Sequence, residues 1–325
     1  MQVVQHYQQL FEAYRKSRPF GGQPEGLYAP VNYIMDLGGK RLRPAMALMG
    51  YGLFQDEVQP ALPLAYAVEI FHNFTLVHDD IMDAAPLRRG KPTVHTLFNT
   101  NAAILSGDVM LISAYEYLLQ MQPKERLPEV LAIFNRVARE VCEGQQMDMD
   151  FESRQDVSIP EYLRMIELKT AVLIAGCLAM GATAAGASQA DAGRLYAFGR
   201  LSGVAFQLQD DILDTFGNTE KVGKKIGGDI AQNKKTFLIL KALEIAPAAE
   251  KNRLHDLMFG KETGEATKIN EVTSLLVQLG IQELAVREKN RFRDLAMEEL
   301  DAIHCEEARK VPLRELAEAL IDREF

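Results

Sequence analysis

Apolar positions recur every three or four residues along almost the whole chain, the spacing of one face of a helix. The first amphipathic stretch runs from Gln2 to Lys16. Ser17 to Gly26 carries Pro19, Gly21, Gly22 and Pro24 and predicts a loop. Tyr28 to Leu37 predicts a short helix that stops at Gly38-Gly39. Pro44 stands where the next helix begins, since proline is tolerated in a first turn. An apolar stretch from Ala61 to Val77 predicts a long helix. Ala84 to Thr96 reads as a loop, and Asn101–Met121 and Pro128–Phe151 as helices broken at Pro123 and Pro128. Pro160 opens a helix that runs through Lys169-Thr170 into a run of small residues. Asp191 to Asp214 predicts another helix, and Phe216 to Asn233 a loop rich in Gly and Lys. From Lys234 onward helical segments alternate with breaks at Pro247, Gly260 to Gly264, and Pro312. Successive strands with hairpin turns are not predicted anywhere, nor is a low-complexity linker. The pattern predicts one all-α domain over residues 1–325, a single large helical bundle.

Thr170 to Ala190 carries no charge and is long enough to span a bilayer. It is rich in Ala and Gly, with Gly176, Gly181 and Gly186 evenly spaced, and lacks aromatic residues at its ends. It is expected to be a buried core helix in which small residues allow close packing. The chain has 325 residues and 47% hydrophobic content, enough for a large core. Its formal net charge of −9 argues against a general nucleic-acid binder. An anionic substrate then requires basic residues concentrated locally. Cys142, Cys177 and Cys305 are too widely spaced for a zinc site or disulfide framework and fit a reducing cytosol. The N-terminus shows no signal-peptide core.

Two stretches carry the chemistry. Leu76-Val77-His78-Asp79-Asp80-Ile81-Met82-Asp83 is echoed by Gln207-Leu208-Gln209-Asp210-Asp211-Ile212-Leu213-Asp214. Each is a DDxxD motif behind apolar residues. On a helix, Asp79 and Asp83 share a face, and so do Asp210 and Asp214. Carboxylates at a helix C-terminal end oppose its dipole and repel one another. Mg²⁺, which binds through one or two carboxylates plus substrate phosphates, offsets that cost.

Basic groups accompany both motifs. Gly38-Gly39-Lys40-Arg41-Leu42-Arg43-Pro44 places cations at a glycine-broken helix start, where backbone N–H groups favour anions. Arg88-Arg89 follows the first motif. Lys224-Lys225-Ile226-Gly227-Gly228-Asp229, with Lys234-Lys235, follows the second. Taken singly, each group reads equally well as a solvated basic turn or a surface ion pair. Together they are what two diphosphates and several Mg²⁺ ions require.

With these motifs the chain resembles the trans-isoprenyl diphosphate synthases, or polyprenyl synthetases, over about Gly38 to Lys235. The resemblance includes both aspartate motifs, the GGKRxRP segment, Arg88-Arg89, Gly144-Gln145-Gln146-Met147-Asp148, Lys169-Thr170, Gln207 and the loop with Lys224, Gly227 and Asp229. It implies an all-α isoprenoid-synthase bundle with a central cavity. It also implies chain elongation: an allylic diphosphate ionises, the double bond of isopentenyl diphosphate attacks the cation, and a proton is lost. Asp79, Asp83 and Asp210 would hold about three Mg²⁺ ions, with Asp211 and Asp214 in support. Arg88, Lys169, Lys234 and either Lys224 or Lys225 would grip the allylic diphosphate. Lys40, Arg43, His72 and Arg89 would bind isopentenyl diphosphate, and Thr170 and Gln207 would face the cation. The departing diphosphate would take the proton. The resemblance also implies a homodimer, and the cysteines place the protein in the cytoplasm.

Product length would be set just before the first motif. Phe74 lies five residues ahead of Asp79, where an aromatic stops growth in the family, and Phe71 lies nearly a turn deeper. Thr75 is small, where short-product farnesyl enzymes of one family branch carry a second aromatic. A C20 product, geranylgeranyl diphosphate, is expected, with C15 farnesyl diphosphate as the alternative. Other classes fit less well. A terpene cyclase carries an Asn/Ser/Glu-type second metal motif. A di-iron bundle needs two Glu-x-x-His motifs, and only Glu69-Ile70-Phe71-His72 is present. A non-catalytic subunit would have lost metal or phosphate groups.

Overall fold

The computed structural model describes residues 1–217, 226–260 and 264–321. Helices dominate. In chain order they are α1 (Gln2–Lys16), α2 (Glu25–Asp36), α3 (Leu42–Gly52), α4 (Leu62–Met82), the short α5 (Val94–Leu97), α6 (Thr100–Leu118), α7 (Leu127–Ser153) and α8 (Ile159–Ile166). They continue with α9 (Val172–Ala184), α10 (Gln189–Phe216), the short α11 (Gly228–Ala231), α12 (Phe237–Ile245), α13 (Ala248–Phe259), α14 (Glu265–Gln278), α15 (Ile281–Asp301) and α16 (Glu307–Ile321). The all-α expectation holds. The expected loop after the first aspartate motif differs, because it contains a minimal hairpin pairing Leu87–Arg88 with Lys91–Pro92. Its two central residues, Arg89 (φ 53°) and Gly90 (φ 75°), are both left-handed, the backbone of a tight hairpin turn. Two-residue strands are too short to leave a period-2 signal.

The chain forms two compact units. The first comprises Met1–Asn135, Gly176–Leu195 and His304–Leu313. Helix α4 is its central element, packed on α3 and α6. The turn where α1, α4 and α6 meet is filled by aromatic rings. Tyr66 contacts Phe11, Tyr14 and Phe20 at centroid distances of 6.0–6.1 Å and Tyr117 at 4.5 Å. The small-residue helix packs as its composition predicts. A Cβ on Gly50 of α3 would stand 2.2 Å from the Leu178 carbonyl, and one on Gly181 of α9 would stand 2.0 Å from that of Ala47. The continuous stretch Ile159–Ala184 is long and apolar enough to cross a membrane, but 83% of its apolar window is buried within the protein. It is a core segment.

The second unit comprises Arg136–Ala175, Tyr196–Ile303 and Arg314–Phe325. Its core joins Phe151, Tyr162, Ile166, Leu208, Ile212, Phe237, Leu254, Leu276 and Ile281. Helix α8 starts in a capping box in which Ser158 and Glu161 satisfy each other's backbone N–H groups. Between α8 and α9 the chain widens into a π-helical turn, Glu167–Ala171. Glycines of two other helices close on it. A Cβ on Gly144 of α7 would stand 2.3 Å from the Lys169 nitrogen, and one on Gly203 of α10 would stand 2.6 Å from the Ala171 Cβ. π-turns are frequent at functional sites, and this one carries Lys169 and Thr170.

Candidate active site

The first unit brings one set of predicted residues together on α4 and the turns beside it. Asp79 and Asp83 lie one turn apart at the C-terminal end of α4, where the Asp83 N–H bonds the Asp79 carbonyl at 2.9 Å. Asp83 is exposed and Asp79 half-buried. Asp80 points the other way and is 2% exposed. Arg88 grips it with two parallel bonds, Nε to Oδ2 at 2.8 Å and NH2 to Oδ1 at 2.7 Å. The middle aspartate of the motif is thus neutralised by protein, and the outer two carry the motif's exposed carboxylate face. In this geometry Arg88 holds Asp80, the residue of the motif not expected to be a ligand.

Seven residues before Asp79, about 10.5 Å along the helix, His72 meets the glycine-rich turn. Arg43 NH1 lies 3.2 Å from His72 Nε2. The Arg43 Nε is buried without a protein partner. Arg89 leans over the turn and donates to the Gly38 carbonyl. Gly39, at φ 132°, is pressed against that guanidinium, and a Cβ there would approach it to 2.8 Å. Arg43 and His72 are therefore in contact, and Arg89 packs on the glycine turn that leads into Lys40. Their electrostatics are frustrated. Burial, then the Arg43, Arg89, Arg88 and Arg41 charges, hold His72 well below the usual imidazole pKa. Burial lowers Arg43, and burial together with Arg41 lowers Arg89. Crowded cations with an unmade buried hydrogen bond fit an anion with several oxygens.

Between His72 and Asp79 on α4, Phe74 is half-buried. Its ring meets that of Phe71 at a tilt, 5.6 Å between centroids, and that of His78 edge-on at 4.8 Å. Phe71 is 1% exposed and wedged against Phe134 at 5.3 Å. Thr75 donates its hydroxyl to the His72 carbonyl at 2.8 Å.

The second unit gathers the other set at the end of α10. Asp211 is buried. Tyr162 of α8 donates its hydroxyl to Asp211 Oδ2, and Gln207 donates to Oδ1 at 3.2 Å. Asp214 Oδ2 accepts the Asp229 N–H at 2.9 Å, and the Asp214 carbonyl accepts the Gly227 N–H at 2.7 Å. Gly227 is left-handed at φ 80° and starts α11. Asp214 therefore anchors the turn at Gly227–Asp229. Lys169 donates to Asp148, so the GQxxD segment and the Lys-Thr pair are joined. Lys234 lies 3.1 Å from Asp229. Lys224 and Lys225 lie outside the described residues.

This cluster is frustrated in the opposite sense. Burial, then the Asp229 charge, pushes Asp211 up to about 8 against the pull of Tyr162 and Gln207. Burial raises Asp214 despite its backbone donors. Burial disfavours the Lys234 charge, yet Asp229, then Asp148 and Asp211, hold its pKa above the usual value. An excess of carboxylates that raise one another is relieved by a divalent cation. Among the described residues, no three His, Cys, Asp or Glu side chains form a metal cage by themselves.

Sequence reasoning missed Tyr162, whose aromatic side chain on an apolar helix face reads as core. It also missed the partnership of Asp80 with Arg88, since the spacing of Arg88 gives no register against a hairpin that was not predicted.

An all-α protein with two DDxxD helix ends and a GGKRxRP turn has the architecture of the isoprenoid synthases. The polyprenyl synthetase profile matches residues 24–276, and the chain belongs to that family. It is 37% identical to the geranylgeranyl diphosphate synthase of Methanosarcina mazei over 93% of this chain and 91% of that protein. It is 35% identical to the geranylfarnesyl diphosphate synthase of Natronomonas pharaonis over 93% and 92%. A crystal structure of a geranylgeranyl pyrophosphate synthase superposes with a TM-score of 0.93 at 41% identity, covering 99% of both chains.

Proposed function

We propose that this prenyltransferase condenses isopentenyl diphosphate with an allylic diphosphate to give all-trans geranylgeranyl diphosphate, acting through residues 1–325 as one polyprenyl synthetase domain. The observation that carries the reading is the pair of oppositely frustrated clusters: crowded cations with an unsatisfied Arg43 Nε, and crowded carboxylates with Asp211 pushed up to about 8. Lys40, Arg43, Arg89 and neutral His72 bind the diphosphate of isopentenyl diphosphate. Lys169 and Lys234, with Arg88 and Lys224 or Lys225, grip that of the allylic substrate. Asp79, Asp83 and Asp210 would hold about three Mg²⁺ ions, which when bound supply positive charge against the leaving diphosphate. Asp211 and Asp214 act behind them by fixing α8 and the 227–229 turn. Thr170 and Gln207 present oxygen dipoles to the allylic cation, which needs an environment free of water. The departing diphosphate takes the proton, so no protein base is assigned. The Asp211 and Asp214 hydrogen bonds support holding roles rather than direct ligation for these two residues.

A C20 product is supported by a single aromatic at Phe74 followed by the small Thr75; the C15 alternative would call for a second aromatic there. We further propose a cytoplasmic homodimer. The free thiols of Cys142, Cys177 and Cys305 support a reducing compartment. Leu105 and Ile112 of α6 and Leu119 at its C-cap, 59%, 59% and 56% exposed and seven residues apart, make an apolar stripe suited to a second copy. The test is turnover of labelled isopentenyl diphosphate by the purified chain with Mg²⁺ and each allylic primer. Geranylgeranyl diphosphate as the main product supports the proposal, and no incorporation with any primer sinks it.

A further inference from the structure

Arg41 lies between two proposed diphosphate ligands, Lys40 and Arg43, but is itself fully committed to protein. It is 6% exposed. Its Nε donates to Glu12 Oε1 at 2.9 Å, NH1 to Glu69 Oε1 at 2.5 Å, and NH2 to the Met35 carbonyl. Those three acceptors belong to α1, α4 and α2 in turn. Glu69 is 3% exposed, and its Oε1 also accepts Asn73 Nδ2 at 3.2 Å. Two carboxylates already balance the guanidinium, and each of its three nitrogens has an acceptor. Arg41 is therefore not available to a phosphate.

Its backbone is the informative part. Arg41 is left-handed, at φ 47° and ψ 39°, and stands at the N-cap of α3. Gly38 and Gly39 are also at positive φ, 81° and 132°. A non-glycine residue in that region persists only where its surroundings over-determine it. Here they do: Arg41 plugs into three helices, Arg89 holds the Gly38 carbonyl, and Gln8 holds the Lys40 carbonyl at 2.5 Å. Glu69 is one turn before His72 on α4. The pair thus ties the turn carrying Lys40 and Arg43 to the helix carrying His72. A buried ion pair adds little net stability but fixes register.

We propose that Arg41 and Glu69 are a positioning pair that sets Lys40 and Arg43 against His72 for isopentenyl diphosphate, an inference that rests on the active-site reading above. Lysine at position 41 keeps the charge but supplies a point donor in place of the planar three-way fork.

The experiment uses the full chain and three variants: Arg41→Lys, Glu69→Gln, and the apolar double replacement Arg41→Met with Glu69→Met. The double variant removes the buried charges together, which commonly preserves stability. Each is measured for Tm, for calorimetric binding of isopentenyl diphosphate, and for KM of each substrate with the other saturating. We expect KM for isopentenyl diphosphate and its calorimetric Kd to rise about tenfold, the equivalent of one charge-assisted contact. KM for the allylic primer and kcat change less than about twofold, and the double variant keeps its Tm but not its affinity. Unchanged isopentenyl diphosphate parameters in a folded variant overturn the proposal. So does a parallel loss in both substrates that tracks the fall in Tm, the signature of a purely structural pair. An inactive wild-type chain would instead overturn the reading of the active site.

Discussion

Replacing Phe74 with alanine tests whether product length is set on α4. The ring fills the step between His78, at 4.8 Å, and Phe71, at 5.6 Å. Removing it lowers the floor from Phe74 to Phe71, three residues further from Asp79, which is about 4.5 Å along the helix axis. An isoprene unit adds four carbons along the growing chain, roughly 5 Å when extended with ~1.5 Å bonds. One C5 unit is therefore gained, and the main product moves from C20 to C25. Growth does not continue freely, because Phe71 is buried and held against Phe134 at 5.3 Å. The stability cost is bounded as well. A fully buried Phe→Ala costs about 3–5 kcal/mol; with the ring half-buried, roughly 2 kcal/mol is expected. The fold should survive with a Tm a few degrees lower. The assay is incorporation of labelled isopentenyl diphosphate, dephosphorylation, and chromatography of the alcohols from wild type and variant. An unchanged distribution refutes the assignment of the floor to Phe74. An open-ended ladder of long products refutes Phe71 as the next floor.

Asp79→Ala and Asp210→Ala should each lower kcat roughly 10³-fold or more at moderate Mg²⁺, because several kcal/mol of transition-state charge stabilisation is lost; near-normal turnover in either variant defeats the metal assignment. Arg89→Ala should raise KM for isopentenyl diphosphate, whereas Lys234→Ala should raise KM for the allylic primer or slow its ionisation. If both variants disturb only the primer, the division between the two diphosphates is wrong. His72 is held neutral by burial and the surrounding arginines, while the unfolded chain protonates near pH 6.5. Its folded pKa lies below the unfolded value, so stability is full above about pH 6.5 and is lost as pH falls below it. Titration of the imidazole by NMR should show this lowered pKa, and isopentenyl diphosphate should raise it by offsetting the arginine charge; no rise on binding contradicts the site. Ile112→Lys on the exposed face of α6 should shift sedimentation from dimer to monomer, and an unaltered dimer places the interface elsewhere.

What the sequence revealed and what it concealed divide along a physical line. Helices were legible because burial imposes a 3.6-residue period, and α1 ends at Lys16 where the amphipathic pattern ends. The paired carboxylates were legible because i and i+4 share a helical face whatever surrounds them. The π-turn at Glu167–Ala171 was not, because it is imposed from outside: Gly144 and Gly203 press on it from two other helices, and neither contact leaves a local signature. The hairpin after Asp83 was concealed for a related reason. Its two-residue strands carry no period, and the Tyr33 hydroxyl of α2 helps hold it by donating to the Pro92 carbonyl at 2.6 Å.

The same line separates the aspartates within each motif. Sequence gives all three positions of DDxxD the same chemistry. The fold then assigns the middle one an interior partner, Arg88 for Asp80, and Tyr162 with Gln207 for Asp211. These partners differ in charge, and the consequence is physical. An arginine balances Asp80 outright, whereas neutral donors leave Asp211 a buried carboxyl pushed up to about 8. The middle aspartate of the second motif therefore retains an unmet demand for positive charge that Arg88 satisfies for Asp80 in the first. A divalent ion held beside Asp210 would lower the Asp211 pKa and favour the charged carboxylate to which Tyr162 and Gln207 donate. Cation binding at the end of α10 would then act on α8, which Tyr162 ties to Asp211, and on the π-turn Glu167–Ala171 that follows it.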